Sequence, residues 1–455
     1  MIHSSGKSIE YYLKPGMHAH LVGIGGVSMR PLGLVLRSHG LVITGSDMNA
    51  SVSTDELMQK GIHVNIGHKA ENIEGADCLI RTAAAHNDNP EIAAARAAGI
   101  PVFERAEAWG IIMQSYENAI CVSGTHGKTT TTSMITQIFM EAQQDPTVMI
   151  GGTLPLIRAG HRIGSGNTII LESCEYCNSF LNFFPTVALV LNIEADHLDF
   201  FKDLKDIQSS FRKFVQLVPA NGSIIANGDD RNTVEALEGL DYMSFGLSEK
   251  NDVFGKNFSS DWRRFEVICK GQHYADLQLS IFGKHNALNA IAACAAAFQA
   301  GIPGDIVQKA LASFSGAGRR MEFKGNYHGA DVYDDYAHHP GELHALLTAA
   351  KQMGYDRIIC AFQPHTYTRT NALFEEFITQ LQLADVAVLT DIYAARERNL
   401  IGISSKMLAD RLDNSVYCPT LQDVTAYLKT EARSGDLILT VGAGDIYKAG
   451  DDLLK

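Results

Sequence analysis

Two glycines, a lysine and several threonines stand close together in the stretch VSGTHGKTTTTSMI, residues 122–135. Gly124 and Gly127 are three positions apart, and Lys128 and Thr129 follow directly. Glycines allow tight turns in which backbone N–H groups approach a ligand closely, while lysine and threonine add a positive charge and a hydroxyl. The loop therefore favours phosphate binding, although its glycines are closer together than in the common G-x-x-x-x-G-K-S/T pattern. The alternative is a glycine turn with a threonine that caps the next helix.

Acidic residues follow the two apolar stretches that come later in the chain. Glu172 and Glu175 lie at the end of NTIILESCE, residues 167–175. The stretch NIEADHLD then supplies a polar set, namely Asn192, Glu194, Asp196, His197 and Asp199. Carboxylate oxygens and an imidazole can hold Mg²⁺ between nucleotide phosphates and a second substrate. Taken singly, each of these residues could instead be an ordinary polar group at the end of a strand.

Strands that alternate with helices must position these residues. In the first hundred residues, apolar runs such as HAHLVGIGG and LVITGSD are separated by stretches with helical spacing. This alternation predicts a parallel sheet with helices on both faces. Similar units begin near residues 106 and 315, so we predict an α/β protein with domains 1–105, 106–314 and 315–455. The polar residues cluster at the predicted carboxyl ends of strands, where open α/β sheets bind ligands.

Composition and charge limit the classes of partner. The chain has 455 residues, of which 46% are hydrophobic and 20% charged, so it can bury several cores. Its net charge of −13 and the lack of any Lys/Arg run argue against nucleic acid as the main partner. The N-terminal stretch has no apolar segment of the signal-peptide type, and no apolar run reaches the roughly 18 residues of a membrane helix. We therefore expect a cytoplasmic protein without membrane insertion.

The eight cysteines are scattered along the chain, and Cys174 and Cys177 form the single C-x-x-C pair. A zinc site usually needs a second pair or histidines at ligand spacing, and the sequence offers neither. Structural thiols are therefore favoured over a metal or redox role.

An ordered series of short blocks resembles the Mur ligases, a family of ATP-dependent amino-acid ligases of peptidoglycan precursor synthesis. The blocks span nearly the whole chain: GIGGVSM, GSD, DNPEI, SGTHGKTTTTSMI, NIEADHLD, GKHNALNA, GRRMEF, DDYAHHP, FQPHTYTRT, DIYAARER, GISS and VGAGDI. The resemblance implies a Rossmann-like N-terminal domain that binds a UDP-sugar and a central parallel-sheet domain that binds ATP on the short loop. A Rossmann-like C-terminal domain would bind the amino acid.

The resemblance also implies a reaction. ATP would phosphorylate the lactyl carboxylate of UDP-N-acetylmuramate, the amine of L-alanine would attack the acyl phosphate, and phosphate would leave. ATP and Mg²⁺ are the implied cofactors, and the implied partners are these small molecules alone. Because two anions must approach each other in such a reaction, charge neutralisation is the main task of the site.

The motifs imply roles for particular residues. The implied ATP-binding residues are Gly124, Thr125, His126, Gly127, Lys128, Thr129, Thr130, His285, Asn286, Asn289 and Asp335, with Asp334 also near the ribose. Thr129 and Glu172 are implied to hold one Mg²⁺ and His197 a second. The implied residues for the UDP-sugar and for domain closure over it are Gly25, Gly26, Ser46, Asp47, Arg319 and Arg320. Tyr336 is a candidate for binding the amino-acid substrate, or else an aromatic that fills the domain junction.

Lys128, Glu172 and His197 are also candidate catalytic residues, with Lys128 on the γ-phosphate. Arg369 suits the carboxylate of the amino acid, because its planar fork can bind a carboxylate with two hydrogen bonds. His365, four residues earlier, would orient this substrate.

Two stretches depart from the family's pattern. In GIGGVSMRPLG, Ser28 replaces a glycine, and Arg30 and Pro31 replace Ser-Gly. In ESCEYC, Cys174 and Cys177 stand where the family has acidic residues. These departures bear on the contacts to the uridine diphosphate and on metal affinity.

Three other functions stay open at this stage. A dinucleotide-dependent dehydrogenase is suggested by the first glycine loop and by Asp47, about 20 residues beyond it. A sensor protein with a degenerate site is a second alternative. Within the ligases, a third is a recycling enzyme that attaches a whole tripeptide to the same sugar.

Overall fold

Three β-sheets, each accompanied by helices, organise the chain. The structure is a computed structural model that describes residues 7–198, 200–395 and 397–455. Within these residues, sheets of five, ten and six strands follow one another along the sequence. The predicted α/β class is therefore confirmed. Asp199, one of the Mg²⁺ candidates, lies outside the described residues.

The first sheet is built from short strands that alternate with helices. Its elements are α1 (Ile9–Tyr12), β1 (His18–Val22), α2 (Met29–Ser38), β2 (Val42–Asp47), α3 (Val52–Gln59), β3 (His63–Ile66), β4 (Cys78–Arg81), α4 (Pro90–Ala97), β5 (Val102–Glu104) and α5 (Arg105–Met113). All neighbouring strands are parallel, in the order β3-β2-β1-β4-β5. Helix α2 buries Met29, Leu32 and Leu36, the spacing of a helix that packs one face on a sheet.

The central sheet is the largest. Its elements are β6 (Asn118–Ser123), α6 (Lys128–Glu141), β7 (Thr147–Leu154), β8 (Ala159–Arg162), β9 (Thr168–Glu172), β10 (Val187–Val190), α7 (Leu204–Val215), β11 (Ser223–Asn227), α8 (Arg231–Ala236), β12 (Met243–Gly246), β13 (Val253–Lys256), β14 (Arg264–Cys269), β15 (Gln272–Gln278), α9 (Lys284–Gln299) and α10 (Gly304–Ala312). The strand order is β15-β14-β13-β12-β11-β10-β6-β9-β7-β8. Alanines make up much of α9, so this helix is buried along most of its length.

The central sheet is parallel from β13 to β7, as the sequence predicted, and antiparallel at both edges. Strands β14 and β15 form a hairpin whose turn residues, Lys270 and Gly271, both have positive φ. Two such residues suit the tight turn that joins antiparallel strands. Strand β15 buries one face and exposes the other, which an antiparallel edge tolerates and a covered parallel sheet does not.

The third sheet has six strands. Its elements are β16 (Glu322–Tyr327), β17 (Ala330–Asp335), α11 (Pro340–Lys351), β18 (Arg357–Phe362), α12 (Tyr367–Ala372), α13 (Phe374–Leu381), β19 (Val386–Leu389), α14 (Ser405–Ala409), β20 (Ser415–Tyr417), α15 (Leu421–Glu431), β21 (Asp436–Val441) and α16 (Tyr447–Leu453). The order is β16-β17-β21-β18-β19-β20, and β16 alone is antiparallel to its neighbour.

The carboxyl ends of the strands carry the polar residues that the sequence singled out. Strand β6 ends at Ser123, just before the glycine loop, and β9 ends at Glu172. Strand β17 ends at Asp335. Among the described residues, no helix combines the length and the apolar character that crossing a bilayer requires.

Candidate active site

The short glycine loop joins β6 to α6 and turns tightly at its two glycines. Gly124 and Gly127 have φ values of 140° and 83°, in the region that favours glycine. A Cβ on Gly127 would lie 2.5 Å from Oδ1 of Asn289, so the backbone of the loop lies directly against α9. Helix α6 begins at Lys128, and its unpaired N–H groups are therefore available beside the loop. This arrangement can receive an anionic oxygen.

The Lys128 ammonium is fixed beside the loop by oxygen atoms. Its Nζ lies 2.5 Å from the carbonyl oxygen of Gly124, 3.0 Å from that of Thr125, and 3.2 Å from Oε2 of Glu175. Burial lowers the pKa of Lys128, but Glu175, Cys174 and Glu172 together outweigh burial and hold the pKa above its ordinary value. Lys128 is therefore a permanent positive charge at the loop.

Thr129 and Glu172 come together at the start of α6. Oγ1 of Thr129 donates to the Glu172 carboxylate at 3.0 and 3.1 Å, and the Gly151 N–H donates to the same group at 2.7 Å. A Cβ on Gly151 would lie 2.8 Å from both carboxylate oxygens, so a side chain there would displace Glu172. Hydroxyl and carboxylate oxygens are hard ligands, and this pair fits Mg²⁺.

His197 contacts a different carboxylate. Its Nε2 lies 3.9 Å from Oε1 of Glu175 and 3.8 Å from Oδ2 of Asp196. Burial lowers the pKa of His197, and the two carboxylates only partly oppose that shift. A neutral imidazole can act as a metal ligand. Glu175 therefore stands between the Lys128 ammonium and this imidazole.

A cavity of 930 Å³ opens beside the loop and is lined by residues from all three units, that is, from the parts of the chain that carry the first, central and third sheets. Lys128, Thr129 and Glu172 line it from the central unit. Arg30 enters from the first unit, where Oε2 of Glu56 holds its guanidinium at 2.7 Å. Cations from three separate parts of the fold therefore meet here, because Arg320 of the third unit also lines the cavity.

A second cavity, of 410 Å³, shares His126, Gly127 and Arg320 with the first. It is lined by most of the residues that the family motifs implied for the nucleotide, among them Thr130, His285, Asn286, Asn289 and Asp335. Nδ2 of Asn286 donates to the carbonyl oxygen of Phe282 at 2.7 Å, which fixes its side chain at the cavity wall. Burial lowers the pKa of His285 to about 4, so the ring is neutral at pH 7.

Asp335 is the acidic group of this second cavity. Its carboxylate accepts hydrogen bonds from the N–H groups of Met321 and Ala337, both at 2.8 Å. Burial nevertheless raises the pKa of Asp335 to about 6, against the opposing effect of Arg320. The prediction that Asp334 also faces the nucleotide is wrong. Asp334 is buried, and its carboxylate accepts from Arg319 at 2.7 Å and from Thr440 at 2.8 Å.

His126, in the glycine loop, links the central and third units. Nε2 lies 3.3 Å from Oε2 of Glu194, and Nδ1 lies 3.4 Å from Oε1 of Glu342. Burial lowers the pKa of His126, but the two carboxylates outweigh it and raise the pKa to about 9. The loop therefore carries a second positive charge, shared between two domains.

A third cavity, of 570 Å³, contains Arg369 and His365. It shares Asp196, His197 and Tyr336 with the main cavity, so the two spaces adjoin. Arg369 donates from Nε and Nη2 to Oδ1 of Asp196 at 3.2 and 3.0 Å. Nη1 of Arg369 lies 3.3 Å from Nδ1 of His365. The structure thus brings His365 and Arg369 together and adds Asp196 from another domain.

Four of the residues predicted for the UDP-sugar, Gly25, Gly26, Ser46 and Asp47, do not line the three cavities, whereas Arg319 and Arg320, and also Tyr336, do. Gly25 N–H donates to Oδ2 of Asp47 at 2.9 Å, and Gly26 N–H to the carbonyl oxygen of Gly23 at 3.1 Å. Ser46 is fully buried, and its hydroxyl donates to Oε2 of Glu91 at 2.6 Å. Direct contact of Ser46 with a substrate is therefore excluded in this arrangement, because its neighbours occupy the space.

The two adjacent arginines of GRRMEF have different positions. Arg319 donates to Asp334 and to the carbonyl oxygens of Gly442 and Gly444, at 2.7 to 3.1 Å. These bonds fix its guanidinium within the third unit, although Arg319 also lines the main cavity, and its assignment to the substrate stays a prediction. Arg320 lies 3.6 Å from Glu342 and lines both the main and the second cavity.

Several cavity residues were not given roles from the sequence. His338 and Glu342 belong to the DDYAHHPGEL stretch, whose density of ionisable residues was the available signal. Arg30 was noted only as a departure from the family, and no local pattern indicates that it reaches the cavity. Cys174 also lines the cavity, whereas Cys177 is exposed, and none of the eight cysteines, all within the described residues, forms a disulfide.

Three family models match the chain in order. They are the Mur ligase family catalytic domain over residues 18–117, the Mur ligase middle domain over 122–297, and the Mur ligase glutamate ligase domain over 319–444. A UDP-N-acetylmuramate–L-alanine ligase from Agathobacter rectalis is 45% identical over 98% of this chain and 99% of that protein. A protein of the same name from Caldanaerobacter subterraneus is 42% identical over 98% of this chain and 99% of that protein.

Solved structures agree with these matches. The UDP-N-acetylmuramate–alanine ligase of Thermotoga maritima superposes with a TM-score of 0.81 at 28% identity, covering 96% of this chain and 98% of that one. A murein peptide ligase from Psychrobacter arcticus gives a TM-score of 0.71 at 25% identity, with the same coverage. With matching models for all three parts and similarity along nearly its whole length, this chain belongs to the Mur ligase family.

Proposed function

We propose that this chain is an ATP-dependent ligase that joins L-alanine to the lactyl carboxylate of UDP-N-acetylmuramate, a step of peptidoglycan precursor synthesis. The observation that carries the proposal is the continuity of the three cavities through shared residues. In this proposal a nucleotide, an acidic sugar and a small amino acid each have a space. The spaces for the nucleotide and the sugar meet at the glycine loop, and the space for the amino acid adjoins the main cavity at Asp196 and His197. The names of the similar proteins supply the substrates. Consumption of ATP supports a cytoplasmic location.

In this proposal ATP occupies the second cavity, with its phosphates on the glycine loop. Lys128 and the N-terminus of α6 would face the β- and γ-phosphates. Thr129 and Glu172 would hold one Mg²⁺ and His197 a second, and such ions neutralise phosphate charge during transfer.

The main cavity would hold the lactyl carboxylate in line with the γ-phosphate. A carboxylate oxygen attacks the γ-phosphorus, the bond to the β-phosphate oxygen breaks, and ADP leaves. Two anions approach one another in this step, so Lys128, Arg30 and Arg320 contribute by offsetting their repulsion. The α-ammonium group of the acceptor loses one proton to solvent, and the resulting amine attacks the carbonyl carbon of the acyl phosphate. The nitrogen then loses a second proton, and the bond to the phosphate breaks, so that inorganic phosphate leaves.

A second candidate is a ligase that attaches a whole peptide to the same sugar. The similarity to a murein peptide ligase motivates this alternative. The two functions differ in the acceptor, and the third cavity is the space that must discriminate between them.

Phosphate release with UDP-N-acetylmuramate and ATP tests the proposal. L-Alanine, glycine, L-serine and the tripeptide that begins L-Ala-γ-D-Glu are offered separately, and L-alanine should support the fastest turnover. Arg369→Lys should raise the apparent KM for alanine much more than that for ATP, because an ammonium cannot replace the guanidinium fork. Arg231→Lys, at an exposed surface position, is the matched control. Turnover with the tripeptide alone would favour the peptide ligase instead.

A further inference from the structure

Arg369 and Asp196 form an ion pair across the boundary between the third and central units. Nε and Nη2 of Arg369 both donate to Oδ1 of Asp196, at 3.2 and 3.0 Å. The two side chains are 11% and 10% exposed, so water screens the pair weakly. The arginine that would hold the substrate carboxylate is therefore already paired with a protein carboxylate.

Each partner of the ion pair keeps hydrogen-bonding capacity. Oδ1 of Asp196 accepts from Arg369 and from the N–H of His197 at 2.7 Å, whereas Oδ2 accepts no hydrogen bond from the described residues. Arg369 has five N–H groups, and Asp196 and His365 engage three of them. Two N–H groups of Arg369 and one carboxylate oxygen of Asp196 thus have no hydrogen-bond partner within the part of the chain that the structure describes.

The two members of the ion pair do not line the same cavities. Arg369 lines the third cavity, whereas Asp196 lines both the third and the main cavity. The negative member is therefore the one nearer to the glycine loop. A ligand that placed an anionic group on Arg369 and a cationic group on Asp196 would direct its cationic end toward the main cavity.

We infer that Asp196 receives the α-ammonium group of the acceptor amino acid, and that Asp196 and Arg369 together recognise a zwitterion. The inference rests on the proposed function and adds a specificity residue to it. A simple carboxylate would add a second negative charge beside Asp196, which like-charge repulsion opposes. A zwitterion carries an ammonium group for Asp196 as well as a carboxylate for Arg369, so each of the four charges has an opposite charge beside it. The pair therefore selects amino acids and points their nitrogen toward the acyl phosphate.

A comparison of L-alanine with L-lactate tests this inference, because lactate replaces the ammonium with a hydroxyl and keeps the carboxylate. In the wild-type enzyme, L-lactate should inhibit competitively with a Ki at least tenfold above the KM of alanine. Asp196→Asn should raise the KM of alanine about 10- to 100-fold, the range for one charged hydrogen bond. The Ki of lactate should change less than threefold or fall, and the KM of ATP should stay within about twofold.

Matched variants separate ammonium recognition from a general loss of structure. Arg369→Lys should weaken alanine and lactate together, since both use the carboxylate contact. Asp410→Asn, at a side chain that is 60% exposed, should change neither the KM of alanine nor the Ki of lactate. Asp196→Glu keeps the charge and should recover part of the alanine affinity lost in Asp196→Asn.

Two results would overturn the inference. If Asp196→Asn raised the KM of alanine and the Ki of lactate by the same factor, Asp196 would act only by holding Arg369. The proposed reaction would still stand. Equal wild-type affinities for alanine and lactate would exclude ammonium recognition even if no Asp196 variant folds. A wild-type enzyme that used the tripeptide but not alanine would instead reject the proposed function, and the zwitterion site with it.

Discussion

Replacement of Lys128 by alanine should damage the fold as well as the chemistry. The Lys128 ammonium lies 3.2 Å from the carboxylate of Glu175, and the two side chains are 14% and 3% exposed. Removal of the lysine leaves a buried carboxylate whose remaining ionisable partner, among the residues that the structure describes, is His197, at 3.9 Å and with a lowered pKa. Breaking a buried ion pair from one side typically costs about 3–5 kcal/mol. At roughly 2–4 °C for each kcal/mol, the lower figure corresponds to a fall in Tm of about 6–12 °C.

Lys128→Ala should also lose enzymatic activity, for a reason different from the loss of stability. A second substitution can separate the two effects. Lys128 supplies charge where phosphate repulsion must be offset, so Lys128→Ala should lower kcat by at least about 100-fold. Glu175→Gln removes the uncompensated charge, and the double variant Lys128→Ala/Glu175→Gln should regain most of the lost Tm. Its phosphate release should stay as low as that of Lys128→Ala. Differential scanning calorimetry and a phosphate-release assay on the same preparations measure the two effects.

Lys205→Ala provides the matched control, because Lys205 also pairs with a glutamate, Glu235, at 3.5 Å. The side chains of that pair are 79% and 39% exposed, so its removal should cost less than about 1 kcal/mol. A Lys128→Ala enzyme with the Tm of the wild type would refute the argument from the buried pair. Recovery of activity in the double variant would refute the role of Lys128 in catalysis.

Three other perturbations test separate parts of the site. Glu172→Ala should raise the Mg²⁺ concentration needed for half-maximal phosphate release, because Thr129 would lose its carboxylate partner; superimposable titrations would make Glu172 an ordinary strand-end residue. Gly127→Ala should raise the Kd of ATP measured by calorimetry, since its φ of 83° and the 2.5 Å approach to Asn289 leave no room for a methyl group. His126 has its pKa raised to about 9 in the folded state, so its stabilisation is complete below about pH 6.5 and is lost as the pH rises through 9. The free energy of unfolding of His126→Gln should therefore fall furthest below the wild type at pH 6 and converge with it above pH 9, and a difference that is constant with pH would contradict the ion pairs.

Much of the fold could be predicted because its signals are local. Apolar runs ended by glycines and polar residues predicted the parallel strands, and the positions of Glu172 and Asp335 at strand ends follow from that pattern. The glycine loop was recognisable because its conformation depends on Gly124 and Gly127 themselves. The antiparallel hairpin β14–β15 was missed, because its turn, Lys270-Gly271, lacks the Asn-Gly or Asp-Gly pattern that marks such turns most strongly.

The direction of individual side chains was harder to predict. Arg319 and Arg320 are neighbours with the same chemistry, and positive φ values at Arg319 and Met321 help turn one inward to the third sheet and the other toward the cavities. The surroundings of Ser46 and Arg30 could not be predicted for a similar reason. The hydroxyl of Ser46 is taken up by Glu91, which is distant in sequence, while Arg30 is directed by Glu56 on the next helix. Long-range partners of this kind leave no trace in a local motif.

The main cavity is lined by residues of all three units, and this has a consequence for how ligands influence one another. A ligand that touches two walls stabilises one mutual orientation of the units that carry them. The next ligand then binds units that are already in the required orientation, so less of its binding free energy is spent on orienting them. Binding of the nucleotide and the acidic sugar would therefore be reciprocal, each raising the affinity for the other by the same factor. Cooperativity of this kind needs no regulatory site, because it follows from a single cavity whose walls belong to three units.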